Sequence, residues 1–189
     1  SKVTPEVKAK TAEKIKKEAD TEAQIKLIAS EKIIADTKAK ADNEIKGELK
    51  VHFIDVGQAD SILIQQNGQN MLIDAGNNED DKLVVEYLKK QGVQKIDILI
   101  GTHLDEDHIG GLDTVIKTFN IGEIYMPKTI KPTATFKDVV TAITNKQMKV
   151  SVPKVGEAFK LGNSECTILA PNETDYADAN NYSIVTKLK

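Results

Sequence analysis

Four side chains that can bind a metal ion lie within six positions, directly after an apolar run at 96–101: His103, Asp105, Asp107 and His108. In an extended segment His103 and Asp105 would project to the same side, because they alternate. Asp107 and His108 are adjacent, so they would point in different directions and could serve a second ion. Neutral imidazole and carboxylate oxygen together suit Zn²⁺, and also Mn²⁺ or iron. The spacing therefore predicts a divalent-metal centre that turns water into a nucleophile.

A simpler interpretation is a polar loop whose acidic side chains cap a helix that begins near residue 108. The glycine pair Gly110 and Gly111 supports the metal interpretation, because glycine lets backbone segments approach closely where the next helix begins. Two histidines and two aspartates at these spacings, beside paired glycines, favour the metal site.

The sequence after Gly47 alternates strand-like and helix-like segments, which is typical of an α/β fold. Apolar or β-branched runs predict strands at 49–55, 61–65, 70–74, 96–101, 123–126, 149–152, 165–169 and 183–188. Helical spacing predicts helices at 80–91, 112–119 and 136–146. Asn67 and Gly68 between two strand-like runs predict a tight hairpin. The metal-binding cluster would then follow a strand that is buried on both faces.

Residues 5 to about 46 have the composition of one long helix, rich in Ala, Lys, Glu and Ile. Thr4 is a suitable N-cap, Pro5 a suitable first helical residue, and Gly47 supplies the stop. The apolar stripe is narrow, and lysines nearly balance acidic residues, so a solvated helix is expected rather than a basic DNA-binding arm. A stalk, an oligomerisation helix and a spacer from a cell surface all fit. We therefore expect a helical spacer at 1–47 and a folded domain at 48–189.

The overall composition limits the classes of function. A net charge of −3 and a pI of about 5.7 argue against nonspecific nucleic-acid binding by surface charge alone. Cys166 is the single cysteine, which excludes an intramolecular disulfide, and it is expected to be buried and inert. The sequence has no apolar stretch near the roughly 20 residues that a transmembrane helix needs. No signal peptide is recognisable, although one removed before the first residue would leave the same sequence.

The cluster at 103–108 resembles the His-x-His/Asp-x-Asp-His motif of the metallo-β-lactamase superfamily. Three further segments resemble the hydrolase domain of ComEC/Rec2-type competence proteins: an opening strand at 51–61, a strand-end aspartate segment at 71–76, and an Asn-Asn-Tyr-Ser-Ile-Val segment at 180–185. The resemblance covers about residues 49–189. It implies a four-layer sandwich with helices outside two sheets, of which this chain supplies the N-terminal half.

The resemblance also implies a role for each member of the cluster. His103 and Asp105 would bind one divalent metal, Zn or Mn. Asp107 and His108 would approach the second ion of a two-ion site. Asp107 would in addition act as the catalytic residue that orients or deprotonates the attacking water.

Two further aspartates and the remaining histidine would lie around the ligands. Asp74 would accept a hydrogen bond from a ligand histidine and fix its tautomer, or would only cap a turn. Asp60 would support the site directly or be structural. His52, in the first strand, is expected to pack or orient rather than to replace a metal ligand.

The chain departs from the family pattern at several points. Asp105 stands where many relatives have His, and Ala59 stands where glycine is usual. A downstream aspartate, commonly in a Thr-Gly-Asp segment, and later histidines in a Gly-His-His-Gly-Ser-like segment are not in the sequence. With about two protein donors for each ion, we expect the chain as given to bind metal weakly or not at all and to be inactive by itself.

A second expectation concerns the inner face of the sheet. The apolar runs at 51–56, 62–64 and 98–100 predict a large exposed patch. A protein that continues past Lys189, or a homo-oligomer that pairs two half-sheets, would cover it.

By the resemblance, the leading function is metal-dependent phosphodiester hydrolysis, most specifically by a nuclease related to DNA uptake. A second is another hydrolase of the same fold, such as a phosphorylcholine esterase or a lactonase. A third is a noncatalytic binding module with a degenerate site. Lys128 and Lys131, in the loop 127–132, would contact phosphates or remain solvated. Because such relatives often act outside the membrane, an extracellular or cell-surface location is expected, while a cytoplasmic one stays open.

Overall fold

The computed structural model describes residue 24, residues 26–36 and residues 47–189, and the chain divides into two units after residue 46. In the first unit, residues 26–36 form helix α1, along which every side chain is exposed. Residue 24 is also helical, and the other residues of the helix predicted over 5–46 lie outside the described part.

The first sheet of the second unit has six strands in the order β1-β2-β3-β4-β5-β6. Their bounds are β1 Lys50–Phe53, β2 Ile62–Gln66, β3 Gln69–Ile73, β4 Lys95–Ile100, β5 Asn120–Tyr125 and β6 Val150–Ser151. The first three strands are antiparallel, and β3 to β6 are parallel. The predicted hairpin is confirmed: Asn67 and Gly68 join β2 to β3 with φ angles of 51° and 77°, which a type I′ turn requires.

One face of this sheet is covered by helices, which are α2 Asp81–Lys90, α3 Glu106–Ile109, α4 Leu112–Thr118 and α5 Ala134–Asn145. Their apolar faces meet alternate residues of the central strands, among them Leu72, Leu99 and Ile124. The predicted helices at 80–91, 112–119 and 136–146 are therefore confirmed to within two residues at each end.

The opposite face of the same strands is covered by a second, antiparallel sheet in the order β7-β8-β9, with bounds β7 Ala158–Leu161, β8 Ser164–Ala170 and β9 Val185–Leu188. Ile64, Ile98 and Ile100 are buried against residues of this sheet. The predicted exposed patch is therefore wrong for 62–64 and 98–100. The reason is β7, a strand that was not predicted and that completes the covering sheet.

The apolar exposure predicted for 51–56 is found in part, at the edge strand β1 of the first sheet. Val51 and Phe53 in β1 are 44% and 79% exposed, while Ile54 and Val56 just after the strand are buried. Cys166 lies in the apolar layer between the two sheets, as expected, and burial raises the pKa of its thiol. Of the helices in the described ranges, none has the length and apolar character that crossing a membrane requires.

Candidate metal centre

The candidate centre lies at the carboxyl ends of β3 and β4, the edge at which parallel sheets usually bind ligands. Asp74 follows β3 directly, and its amide N donates to the carbonyl of Ile100 over 2.8 Å. The φ of Asp74 is 58°, in the left-handed region that residues other than glycine rarely adopt. Backbone conformations of this kind cluster at functional sites.

Helix α3, which carries two of the predicted ligands, is packed closely against the loop that follows β3. A Cβ atom on Gly110 would lie 2.2 Å from backbone atoms of Asn77 and Asn78, and one on Gly111 would lie 2.4 Å from the carbonyl of Ala75. No larger residue fits at either position without moving the backbone. The close approach predicted for this glycine pair is confirmed.

Three of the four predicted ligands come together. One ligand atom from each of His103, Asp107 and His108 lies within 4.8 Å of the others. The imidazole rings have centroids 3.8 Å apart and planes tilted by 52°. His103 is buried, whereas Asp107 and His108 are partly open to solvent. The three can therefore hold one ion and leave a side open for water or substrate, as catalytic metal sites do.

The tautomer of His108 follows from its hydrogen bonds. Its Nδ1 lies 2.8 Å from Oδ2 of Asp74. Asp74 is 2% exposed and also accepts from Thr102, whose amide N is 2.7 Å from Oδ1 and whose hydroxyl is 2.6 Å from Oδ2. Because an ionised carboxylate only accepts, Nδ1 of His108 carries the proton and Nε2 of the neutral ring carries the lone pair. A hydrogen bond of the kind expected for Asp74 is thus present, and its effect on a bound metal stays a prediction.

The hydrogen-bond network assigns the tautomer of His103 in the same way. Its Nδ1 lies 3.3 Å from the hydroxyl oxygens of both Thr102 and Ser183. Each hydroxyl donates its proton elsewhere, Thr102 to Asp74 and Ser183 to the carbonyl of Asn180 over 2.6 Å. Both hydroxyls can therefore only accept from the ring, so Nδ1 donates and Nε2 holds the lone pair. In their neutral forms both imidazoles therefore present an Nε2 lone pair, which is the form that metals bind.

The pKa values of the two imidazoles are shifted in opposite directions. Burial, followed by the charge of the neighbouring His108, lowers the pKa of His103 below its ordinary value. Burial also acts to lower the pKa of His108, but the hydrogen bond and charge of Asp74, with the charges of Asp107 and Asp60, raise it overall. At neutral pH the buried ring of His103 is therefore neutral, as a metal ligand has to be.

The fourth predicted ligand, Asp105, contacts a lysine. Its carboxylate accepts a hydrogen bond from Nζ of Lys131, and this contact, ahead of an opposing effect of burial, lowers the pKa of Asp105. The two side chains are 29% and 36% exposed. Asp105 is not among the three residues whose ligand atoms lie close together, and its predicted pairing with His103 at one ion stays a prediction.

Asp60 lies near the ligand group of His103, Asp107 and His108, whereas His52 makes its contacts elsewhere. Asp60 has its Oδ2 3.7 Å from Nε2 of His108, with 66% of its side chain exposed, and its supporting role stays a prediction. His52 packs instead against Tyr87, with Nδ1 3.1 Å from the hydroxyl and the rings edge to face, as expected of a packed residue.

The contacts made by the hydroxyls of Thr102 and Ser183 and the contact made by Lys131 were not predicted from the sequence. Thr102 immediately precedes the first ligand and follows β4, the parallel neighbour of the strand that ends before Asp74, which was a usable signal. Ser183 lies 80 residues from His103 and carried no signal for this contact. Lys131, which was expected to contact phosphates or to remain solvated, contacts Asp105 instead.

The donor chemistry of the group fits a divalent metal. Two Nε2 lone pairs and one carboxylate give three protein donors, the usual number in a catalytic zinc centre, and the same donors also suit Mn²⁺. The outer Nδ1 atoms already have hydrogen-bond partners, which is the arrangement found around metal-bound histidines.

Comparison with known proteins agrees with this geometry. The family model described as "Metallo-beta-lactamase superfamily" matches residues 54–169, which include the whole cluster at 103–108.

Two curated bacterial proteins are similar in sequence. "ComE operon protein 3" of Bacillus subtilis (strain 168) is 26% identical over 160 residues, which are 75% of this chain and 20% of that protein. "Recombination protein 2" of Haemophilus influenzae is 34% identical over 83 residues, which are 41% of this chain and 10% of that protein. The resemblance to ComEC/Rec2-type competence proteins is confirmed. The chain spans a fifth or less of the length of these relatives.

Among solved structures, MEM-A1, a subclass B3 metallo-beta-lactamase isolated from a soil metagenome library, aligns with a TM-score of 0.52. The alignment covers 73% of this chain and 54% of that one at 14% identity. At this identity the likeness shows the fold alone, and the predicted metallo-β-lactamase fold class is confirmed.

Proposed function

This chain belongs to the metallo-β-lactamase superfamily, and from that premise we propose that it forms the metal-binding part of a hydrolase that cleaves phosphodiesters, most specifically in DNA. The curated relatives are competence proteins, which supports DNA as the substrate class. The observation that carries the proposal is the convergence of His103, Asp107 and His108 within 4.8 Å.

Each residue of the centre has a definite task in this proposal. A divalent ion bound there would lower the pKa of its water to about 7 and so provide hydroxide at neutral pH. His103 and His108 would hold the ion through Nε2. Asp107, whose Oδ2 is 3.6 Å from Nε2 of His108, orients or deprotonates the attacking water. Asp105 joins the ligands when it leaves Lys131.

The residues behind the ligands keep both imidazoles in the required form. Asp74 holds the Nδ1 proton of His108, and the hydroxyls of Thr102 and Ser183 accept the Nδ1 proton of His103. Asp60 adds a second carboxylate near Nε2 of His108. Because the chain carries a net charge of −3, the positive field for an anionic diester comes largely from the bound ions.

The same donor set leads us to propose that residues 1–189 alone bind metal weakly and are inactive. Of the three close ligand atoms, the one from Asp107 is also needed to orient or deprotonate the water, which leaves the two imidazoles as full-time donors to an ion, whereas catalytic zinc normally has three protein ligands. A zinc titration of residues 1–189 is expected to show no tight stoichiometric binding. Tight binding of one or two equivalents would contradict this proposal.

The hydrolase proposal is tested by substitution in the protein as its gene encodes it. With Mn²⁺ or Zn²⁺ and single-stranded DNA, His108→Ala is expected to abolish hydrolysis, because it removes a metal ligand. His52→Ala is the matched control, since it removes a histidine outside the group, and it is expected to remain active. Full activity of His108→Ala would refute the proposal. DNA binding without hydrolysis under all metal conditions would favour a noncatalytic module.

A second candidate function has one specific observation in its favour. A cavity of about 810 Å³ beside Asp107 is lined by four other acidic residues: Asp55, Glu79, Asp80 and Glu106. Such a lining attracts a cationic group rather than a polyanion. A phosphorylcholine ester carries such a group next to its phosphodiester. Hydrolysis of p-nitrophenylphosphorylcholine without hydrolysis of DNA would establish this candidate, whereas the reverse result would exclude it.

The proposed substrate also bears on location and organisation. We propose that the protein acts at the cell surface or outside the cell, where incoming DNA is met, with residues 1–47 as a spacer in front of the domain at 48–189. Protease accessibility of the domain on intact cells tests this location. A domain protected until the cells are lysed would contradict it.

A further inference from the structure

A second cavity, of about 400 Å³, is formed by loops that continue into the metal-binding group. Lys128 belongs to the loop after β5, which three residues later carries Lys131, the cation next to the ligand cluster. Tyr182 immediately precedes Ser183, whose hydroxyl lies 3.3 Å from Nδ1 of His103. Consecutive Cα atoms are about 3.8 Å apart. The cavity and the candidate metal centre are therefore neighbours.

The charges that line this cavity differ from those of the acidic cavity beside Asp107. Lys128 and Lys154 are exposed, and neither has an ion-pair partner within the described residues. Glu173 is the acidic residue in the lining, while Asp175 and Glu157 contact lining residues from outside it, at the hydroxyl of Tyr182 and the amide N of Lys154. The two exposed lysines are the cations that this cavity offers to an anionic ligand next to the metal centre.

One wall of the cavity is held in place by hydrogen bonds within a short segment. The hydroxyl of Tyr176 accepts from the amide N atoms of Asn172 and Glu173, over 2.9 and 2.7 Å. The amide N of Tyr176 in turn donates to the hydroxyl of Tyr182 over 3.0 Å, and the two rings meet edge to face with centroids 5.0 Å apart. The ring of Tyr182 is thus fixed before any ligand arrives, which lowers the entropic cost of binding.

We propose that this cavity binds the nucleotide next to the scissile phosphodiester, with its phosphate at Lys128 and Lys154 and its base on the ring of Tyr182. The proposal rests on the proposed function, since it names where the rest of a single-stranded DNA substrate lies. The cavity volume falls in the range of about 300–1,000 Å³ that is usual for ligand sites. Lysine contacts with phosphate and stacking on an aromatic ring are independent of base identity, so binding is not sequence-specific.

The test measures binding without metal, so that it does not depend on hydrolysis. Fluorescence anisotropy follows a labelled ten-nucleotide oligothymidylate added to residues 1–189 in EDTA. The double variant Lys128→Met/Lys154→Met is expected to bind at least about tenfold more weakly and to lower the salt slope of log K by about 1.4, since each phosphate contact on a single strand contributes about 0.7. Tyr182→Leu is expected to weaken binding about fivefold or more, while Tyr182→Phe, which keeps the ring, restores most of it.

The matched control is Lys89→Met/Lys90→Met, which removes the same charge from exposed lysines of α2. An equal loss in both double variants would overturn the proposal, because the effect would then reflect overall charge. Competition by inorganic phosphate as strong as that by thymidine monophosphate would also overturn it, since the cavity would then bind a simple anion. Oligonucleotide binding without hydrolysis by the native protein refutes the proposed function alone, and hydrolysis without this binding refutes the nucleotide cavity alone.

Discussion

Replacing Asp74 by Asn tests the assignment of the metal centre at its most buried point. Asp74 is 2% exposed and accepts three hydrogen bonds, two from Thr102 and one from Nδ1 of His108. The substitution keeps the shape but replaces one acceptor oxygen by an NH₂ group. If that group faces the ring, His108 has to accept through Nδ1, which moves the neutral ring's proton to Nε2 and blocks the metal-binding lone pair.

The expected magnitude follows from the lost charge and hydrogen bond. The hydrogen bond and charge of Asp74 are the leading causes that raise the pKa of His108, so this pKa is expected to fall in Asp74→Asn. Loss of a hydrogen-bond partner behind a metal ligand usually costs about 10- to 100-fold in metal affinity.

The measurement is nitrogen-15 NMR of the imidazoles through a pH titration without metal, because the nitrogen shifts report both the pKa and the protonated ring atom. Asp97→Asn is the matched control, since Asp97 also accepts a backbone hydrogen bond, from the amide N of Asn70 over 2.9 Å, on the same sheet. The control is expected to leave His108 unchanged. An Asp74→Asn protein that is folded, with the pKa of His108 unaltered and Nε2 still unprotonated, would refute the assignment.

Three further outcomes are expected. The pKa of His108 is raised in the folded state, so its contribution to stability is full below the unfolded value near 6.5 and is lost as pH rises through the folded pKa. The pKa of His103 is lowered in the folded state, so this residue reduces the stability of the fold as pH falls through 6.5. Urea unfolding of His108→Gln and His103→Gln at pH 5 and pH 8 should therefore show destabilisations that change with pH in opposite directions, and parallel changes would contradict the shifts. Gly110→Ala is expected to lose about 2 kcal/mol or more in urea unfolding, because its Cβ would meet backbone at 2.2 Å, and an unchanged midpoint would exclude this close approach. Lys131→Met should raise Zn²⁺ affinity about tenfold, because it frees the carboxylate of Asp105. Adding Asp105→Asn to this variant should cancel the gain. If calorimetry finds the same effect of Lys131→Met with and without Asp105→Asn, Asp105 is not a metal ligand.

Local patterns in the sequence were sufficient for the parts of the fold that depend on neighbouring residues. The hairpin at Asn67 and Gly68 was predictable because a type I′ turn needs positive φ at both positions. Helices cover one face of the strand at 96–101 and β7–β9 cover the other, so apolar residues occupy both faces. The resulting apolar run made a buried strand predictable. The close approach at Gly110 was predictable because glycine, having no Cβ atom, lets another backbone segment come near the start of a helix.

Contacts between distant segments were not predictable. β7, Ala158–Leu161, is a short strand with only one fully buried residue, so its sequence carries little periodicity, and the cover it gives to the inner face was missed. Ser183 reaches His103 only because β8 and β9 bring the chain back to the strand ends. Lys131 meets Asp105 because a loop folds over the cluster, which no spacing in the sequence encodes.

The hydroxyl of Ser183 has a consequence for how the protein is made. During translation His103 leaves the ribosome 80 residues before Ser183, a delay of roughly 4 to 16 seconds at about 5–20 residues per second. In that interval Nδ1 of His103 can contact the hydroxyl of Thr102 but not yet that of Ser183, although all three candidate ligands have been synthesised. Full orientation of the His103 ring therefore waits until Ser183 has been synthesised and its segment has packed against the strand ends.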